Sequence, residues 1–256
     1  MYRMGMSCPL GSGCPEVEKM TAIQIEALGK SYGEKVVIRD LNLHIREGEF
    51  VAIVGPSGCG KSTLLHLLSG LDQPSEGGMA FGKADPRIGM VFQNPRLLPW
   101  RTVRENLALV LHEGQDPQTM DDWMTRIGLP DIMAQYPERL SIGMMRRVAL
   151  ARAFIVEPDL LLMDEPLVSL DAPTARKIRA LLLSLWASRP HTVVYVTHDL
   201  REAIELADRL VFVAASPMRI VTDLRVPLSR EERNPERIES LVSELKSGYP
   251  DLRPLI

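Results

Sequence analysis

The stretch from Gly55 to Thr63 reads GPSGCGKST and fits the spacing G-x-x-x-x-G-K-S/T. It follows the apolar run FVAIVG and precedes KSTLLHLLSGL, whose leucines recur at helical spacing. A glycine-rich turn between a strand and a helix lets backbone N–H groups surround phosphate oxygens, and the helix directs its positive end at them. We therefore predict a nucleoside-triphosphate site. Its contacts would come from Gly55, Pro56, Ser57, Gly58, Cys59, Gly60, Lys61, Ser62 and Thr63.

Two residues of the loop and two acids from a later strand have predicted roles in the chemistry. In the loop, Lys61 should reach the β- and γ-phosphates, and the Ser62 hydroxyl should bind Mg²⁺. The run DLLLMDEP ends in Asp164 and Glu165, and an acid at the end of a buried strand beside a phosphate loop can hold the Mg²⁺ shell. We assign that role to Asp164. Side chains alternate along a strand, so Glu165 points elsewhere and can accept a hydrogen bond from an attacking water. The alternative, two surface acids before a proline turn, fits poorly with so apolar a run.

Composition excludes several classes of protein. The chain has 256 residues, 45% hydrophobic and 25% charged, with a net charge of −3 and a pI near 6.0. This balance is typical of a globular protein and does not favour a broad nucleic-acid or anionic-membrane footprint, so we expect no nucleic-acid partner. No apolar run approaches the ~18 residues that would span a bilayer.

The cysteines are Cys8, Cys14 and Cys59, an odd and low count that indicates a reducing compartment. Cys8 and Cys14 alone make an incomplete metal site. They lie in residues 1–20, which have no apolar signal region and are expected to be a flexible leader. Cys59 has two interpretations: a space-filler of serine size, or a thiol activated by the helix N-terminus, whose alkylation would block nucleotide binding.

The order of elements indicates an α/β protein. AIQIEAL alternates like a strand, and KVVIRDLNLHIREGEF is interpreted as two short strands with a turn at Glu47–Gly48. RIGMVFQ and TVVYVTHD are further strand candidates, residues 94–158 are helical in pattern, and NPERIESLVSELKSG is an amphipathic helix. We predict a parallel sheet core with an inserted helical lobe.

With these residues assembled, the chain resembles the ATP-binding subunits of ABC transporters over residues 21–230. Gly55–Thr63 matches the Walker A loop and Leu160–Asp164 the Walker B strand. The other matches are Gln93 in VFQN with the Q-loop, Ser169, Leu170 and Asp171 with the D-loop, His198 in VTHD with the switch histidine, and Tyr32 in KSYG with the adenine-stacking aromatic.

The resemblance implies a fold and a division of the chain. The fold is a P-loop NTPase with a RecA-like parallel sheet core, an N-terminal antiparallel β subdomain and an inserted α-helical subdomain. The ATPase domain would span 21–230, with its helical subdomain at about 94–158, and 231–256 would be a short C-terminal helical extension.

The resemblance also implies roles. Gln93 senses Mg²⁺, His198 contacts the γ-phosphate and the attacking water, and Glu165 is the base. Two subunits close head-to-tail, so each ATP lies between one Walker A loop and the signature motif of the partner, with Ser141 and Gly143. Asp171 of the D-loop is a further predicted nucleotide contact. For Tyr32 the alternative is a packing aromatic.

The signature motif departs from the family pattern. In LSIGMMRR, Leu140, Ser141 and Gly143 match, whereas Ile142 replaces a glycine and Met144 a glutamine. Ser141 suits a helix N-cap, and Ile142 fits the first helical position if φ is negative but would be strained at φ > 0. Three interpretations stay open: a tolerated variation, a weakened site balanced by a better one on a different partner, or an inactive motif.

Two longer stretches, RLLPWRTVRENL and VTHDLREAIELADRLVFVAASPMRI, resemble the nitrate/sulfonate/taurine-type importers. This implies an ATP-hydrolysing subunit, a homodimer or else a heterodimer, bound to a membrane permease and served indirectly by a periplasmic solute-binding protein. Residues 94–106 would help receive the permease, and the subunit would be cytoplasmic, on the inner face of the cell membrane. The alternatives are a catalytically weak nucleotide-binding partner and a non-transport ABC ATPase.

Overall fold

The computed structural model describes residues 21–168, 170–252 and 255. The predicted leader with Cys8 and Cys14, and Ser169 of the D-loop, lie outside the described residues.

The described residues form two sheets and a set of helices. The strands are β1 (Thr21–Tyr32), β2 (Lys35–Arg46), β3 (Phe50–Val54), β4 (Glu76–Phe81), β5 (Ile88–Val91), β6 (Leu160–Asp164), β7 (Thr192–Thr197), β8 (Arg209–Ala214) and β9 (Arg219–Arg225). The α-helices are α1 (Lys61–Leu68), α2 (Val103–Ala108), α3 (Gln118–Arg126), α4 (Ile142–Ile155), α5 (Ala172–Ser188), α6 (Leu200–Leu206) and α7 (Pro235–Gly248). Short 3₁₀ turns lie at Pro130–Ile132, Pro137–Arg139, Arg230–Glu232 and Pro250–Leu252.

The larger sheet has the order β5-β6-β7-β3-β8-β9 and is parallel except for the edge strand β9. Along β3, Phe50, Ala52 and Val54 pack into one apolar cluster, whereas Val51 and Ile53 pack into another on the opposite face. Strands buried on both faces read as continuous apolar runs. The predicted parallel core is therefore confirmed.

The smaller sheet is antiparallel, in the order β2-β1-β4, and packs with α1 against one face of the larger sheet. In KVVIRDLNLHIREGEF the predicted turn at Glu47–Gly48 is confirmed. The division of the stretch before it into short strands is wrong, because β2 continues from Lys35 to Arg46 through Asp40, which adopts φ 47°. No sequence pattern indicates β4, whose first residues are Glu-Gly-Gly. Gly77 is required there, since a Cβ would lie 2.2 Å from the Ala27 carbonyl oxygen.

The helical segment lies between β5 and β6 and has an apolar cluster of its own, which confirms the inserted helical subdomain. Val103, Met120, Met124 and Val148 in this cluster join α2, α3 and α4. The other face of α4 enters the core through Leu150 and Phe154. The helix thus connects the two parts of the fold.

The C-terminal helix α7 packs into the same apolar cluster as the central strands, through Ile238, Leu241, Val242 and Leu245. The Arg201 guanidinium on α6 donates to both Glu239 carboxylate oxygens, at 2.8 and 2.9 Å. The segment therefore packs on the helix that follows His198. Among the described residues, no helix is long and apolar enough to cross a membrane.

Candidate nucleotide-binding site

The phosphate loop connects the end of β3 to the start of α1. Gly58 and Gly60 adopt φ 76° and 113°, values that a residue with a Cβ rarely takes. A Cβ on Gly55 would lie 2.6 Å from the Val213 carbonyl oxygen, so this position needs glycine for packing. The three glycines of the motif thus have local physical causes, and the loop they form is one that can take phosphate oxygens onto backbone N–H groups.

The Lys61 ammonium lies at the centre of this loop. Its side chain is only 4% exposed, and Nζ donates to the carbonyl oxygens of Gly55 and Pro56, at 2.7 and 2.9 Å. Nζ is also 3.7 Å from Oε1 of Glu165. A buried cation is costly without partners, and these three acceptors hold it beside the loop, where a phosphate would meet it.

Asp164 ends β6 and is buried next to the loop. Burial raises the pKa of its carboxyl group, whereas a hydrogen bond from the Ser62 hydroxyl and the charge of Lys61 oppose that rise. A carboxylate and a hydroxyl in contact are a suitable donor set for Mg²⁺, a hard cation that prefers oxygen. The residues present therefore fit the predicted metal, which Ser62 and Asp164 would hold.

Glu165 follows immediately and turns away from the strand. Its backbone adopts φ 41°, a left-handed value uncommon for glutamate, and its N–H donates to the Val196 carbonyl at 2.9 Å. Oε2 lies 3.1 Å from Nδ1 of His198, and Oε1 faces Lys61. The carboxylate is thus held between two basic side chains, at the mouth of the phosphate loop.

A cleft of about 370 Å³ opens over these groups. It is lined by Tyr32, Lys35, Val37, Ser57, Gly58, Gly60, Lys61, Ser62, Thr63, Gln93 and Glu165. Tyr32 is 49% exposed, and its hydroxyl donates to Oδ2 of Asp72. The structure therefore places the predicted aromatic, the Q-loop glutamine and the phosphate loop around one cleft.

The other predicted contacts lie elsewhere. Ser141, Gly143 and Asp171 are not part of the lining of this cleft. Asp171 caps α5 by accepting from the Thr174 backbone N–H at 3.0 Å. A Cβ on Gly143 would lie 3.0 Å from Cγ2 of Thr174. The signature motif and Asp171 of the D-loop thus lie at one surface, formed by the starts of α4 and α5.

The signature motif folds as an ordinary helix start. Ser141 has φ −66° and ψ 157°, and its hydroxyl accepts from the Met144 N–H at 3.2 Å. Ile142 is the first residue of α4, is not among the positive-φ residues, and is 46% exposed. Ile142 therefore lacks the backbone strain that a positive φ would impose. An effect of Ile142 on function would then come from contacts of its exposed side chain.

Cys59 behaves as a packing residue. It is 2% exposed, and its Sγ would be 3.4 Å from a Cβ on Gly55. Burial raises the pKa of the thiol, and this effect outweighs the opposing charge of Lys61. A protonated, buried thiol is a poor nucleophile, so the space-filling interpretation fits the geometry.

Sequence reasoning missed several residues around the site. Tyr32 is contacted by Lys30, two residues before it on β1, and by Asp72, which lies 40 positions away after α1. Arg146, buried on α4, donates to the Pro166 carbonyl directly after Glu165. The only sequence signal was the position of Lys30, two residues before Tyr32 in KSYG; the pairings themselves depend on the fold.

The fold and the site together define a P-loop nucleotide-binding ATPase. A family model described as ABC transporter matches residues 38–168. The chain belongs to the ABC transporter family and is one of its ATP-binding subunits. The predicted family and fold are thus confirmed.

Curated relatives match most of the chain. One is the aliphatic sulfonates import ATP-binding protein SsuB 1 of Mesorhizobium japonicum, 43% identical over 224 residues, which are 85% of this chain and 84% of the relative. Another is SsuB 2 of Pseudomonas fluorescens, 42% identical over 239 residues, 90% and 87% of the two chains.

Solved structures agree with the fold. The dimeric structure of MJ0796, a bacterial ABC transporter cassette, superposes with a TM-score of 0.71 at 31% identity, covering 81% of this chain and 100% of that one. The dimeric post-hydrolysis state of the same cassette, bound to ADP and Pi, gives 0.71 at 30% identity, with the same coverage.

We predict that Cys59 resists alkylation in the folded protein. Because its thiol is buried and its pKa is raised, iodoacetamide should modify the Cys59 peptide roughly tenfold or more slowly than in urea-unfolded protein. Mass spectrometry of that peptide over time measures both rates. Equal rates in the two states would contradict the assignment.

We predict that Ile142→Gly changes ATP turnover by no more than about twofold and lowers stability by about 1 kcal/mol or less, the cost of glycine in a helix. The matched variant Gly143→Ala should lower turnover, because its Cβ meets Thr174. Steady-state ATPase rates and thermal melts measure both effects. A severalfold rise in turnover for Ile142→Gly would show instead that the isoleucine restrains the site.

Proposed function

We propose that the chain binds Mg²⁺-ATP in the cleft and hydrolyses it with Glu165 as the base, to energise an importer of a small solute. The position of the Glu165 carboxylate supports this proposal most strongly: it lies beside the phosphate loop, 3.7 Å from the Lys61 ammonium and 3.1 Å from the His198 ring nitrogen. A hydrogen-bond acceptor, a cation that would bind phosphate and a second polar group are thus all within reach of the phosphate bond that hydrolysis would break.

Each side chain has a distinct task. Backbone N–H groups between Gly55 and Ser62 bind the phosphates, and Lys61 exchanges its carbonyl partners for phosphate oxygens. Ser62 and Asp164, with Gln93 at the cleft, would hold Mg²⁺, which when bound would neutralise charge on the phosphates. Glu165 accepts a hydrogen bond from the attacking water, and His198 orients that water and the γ-phosphate. Tyr32 stacks on the base.

A second subunit completes the site. Ser141 and Gly143 lie at the exposed start of α4, outside the cleft of their own chain, where a hydroxyl and a helix N-terminus can bind phosphate. A head-to-tail partner would bring this surface, with Asp171 beside it, against the γ-phosphate of the other subunit. The dimeric form of the related cassettes supports this arrangement. A homodimer satisfies the geometry, and a heterodimer would pair Ile142 with a different signature.

The transport role rests on the relatives. Two relatives that cover most of the chain at 43% and 42% identity are named as aliphatic sulfonate import ATP-binding proteins. We therefore propose a sulfonate-type solute, a transmembrane permease and, indirectly, a periplasmic solute-binding protein. The permease would hold the subunit at the inner face of the membrane. Trp100, 71% exposed within residues 94–106, would lie at that contact.

We predict that Glu165→Gln lowers ATP turnover on the order of 100-fold or more, because an amide cannot accept the proton of the attacking water. The variant should still bind ATP and should accumulate as a dimer, which size-exclusion chromatography with light scattering detects.

The matched control is Glu157→Gln. Glu157 also has a left-handed backbone, φ 48°, but it precedes β6 and so lies at the opposite end of the parallel strands from the phosphate loop. Its turnover should stay within about twofold of wild type. A Glu165→Gln protein that hydrolyses ATP normally, or that stays monomeric with ATP bound, would refute the proposal.

A further inference from the structure

The ring of Tyr32 is held by two charged residues that lie outside the cleft. The phenolic hydroxyl donates to Oδ2 of Asp72. The Lys30 ammonium lies 4.8 Å from the centre of the ring, within the range of a cation–π contact, and 2.5 Å from Oδ1 of the same aspartate. One carboxylate thus links the cation over the ring to the hydroxyl at its end.

These contacts are built into the fold rather than formed by mobile surface side chains. Lys30 is only 8% exposed, and its Nζ also donates to the Gln73 carbonyl at 2.7 Å. Asp72 accepts from the Gln73 N–H at 2.7 Å. The Ser75 N–H donates to the Gly29 carbonyl of β1 at 2.8 Å. The loop after α1 is therefore fixed to the strand that carries Tyr32.

We infer that Lys30 and Asp72 are positioning residues for the nucleotide base: they hold the Tyr32 ring with one face covered by the ammonium and the other free for stacking in the cleft. The inference rests on the proposed binding of ATP in that cleft. Fixing the ring before binding removes the entropy cost of ordering it, so the gain appears as affinity for the base and not for the phosphates.

The charges stay in place over the working pH range. The hydrogen bonds from Lys30 and Tyr32 hold the pKa of Asp72 at about 2, well below that of a free aspartate. The carboxylate is therefore ionised at every pH at which the protein would be assayed. The phenol of Tyr32 stays protonated, because the hydrogen bond to Asp72 raises its pKa. The donor and the acceptor are thus the right species for this contact.

The test separates the base from the phosphates. For Asp72→Asn and Lys30→Met, the KM for ATP should rise about tenfold, the scale of base–aromatic stacking, with kcat within about twofold. The inhibition constant of inorganic tripolyphosphate, which has no base, should stay unchanged. Lys30→Arg, which keeps the cation, should recover most of the KM lost in Lys30→Met.

The chain offers a matched control pair. Lys83 and Asp159 also form a lysine–aspartate pair, 2.7 Å apart, and Asp159 accepts a backbone N–H as Asp72 does. This pair lies before β6, away from the cleft, so Asp159→Asn should leave the KM for ATP unchanged. If Asp72→Asn fails to fold, Tyr32→Phe removes the same hydroxyl link and should raise the KM severalfold.

A double variant distinguishes positioning from a general structural effect. Tyr32→Leu alone should raise the KM for ATP at least as much as Asp72→Asn, and adding Asp72→Asn to it should raise the KM no further. An unchanged KM in Asp72→Asn, additive effects in the double variant, or an equal loss of tripolyphosphate affinity would overturn the inference. A wild-type protein without ATP turnover would instead refute the proposed function.

Discussion

The proposed ATP hydrolysis depends on three neighbouring parallel strands whose last residues pair with one another. In the order β6-β7-β3, Asp164 pairs with Val196 and Val54 pairs with Thr197. The residues that follow, Glu165, His198 and Gly55, therefore leave the sheet side by side. Parallel pairing aligns these strand ends, and a shift of one residue along β6 or β7 would draw the polar residue that follows the strand into the buried sheet, at a cost in free energy.

Charged side chains are buried at these strand ends, and local hydrogen bonds and ion pairs offset the free-energy cost of burying them. Lys61 and Asp164 are both nearly buried, and each would be unfavourable alone. The loop carbonyls and Glu165 satisfy the ammonium, and Ser62 bonds the carboxylate. These same contacts leave the Lys61 ammonium, the Ser62 hydroxyl and the Glu165 carboxylate lining one cleft, with Asp164 buried next to them. The groups that a nucleotide would meet are thus held in place by the core.

Sequence reasoning succeeded where the signal was local. The phosphate loop, the apolar strands and the inserted helical segment each follow from short patterns, and the structure has all three. It was wrong for β2 and gave no signal for β4, because a left-handed Asp40 and a glycine pair hide strands whose pairing is tertiary. The Lys30–Asp72 contact spans 42 positions, and such pairs are set by topology alone. The roles of the individual site residues stay predictions.

Calorimetry of ATP binding tests most directly whether Asp164 and Ser62 hold Mg²⁺ on the bound nucleotide. Dissociation constants would be measured with and without Mg²⁺, for the wild-type protein and for Asp164→Asn. We expect Mg²⁺ to tighten ATP binding to the wild type, and Asp164→Asn to lose most of this gain while its Mg²⁺-free affinity is retained. An equal gain from Mg²⁺ in both proteins would contradict this expectation.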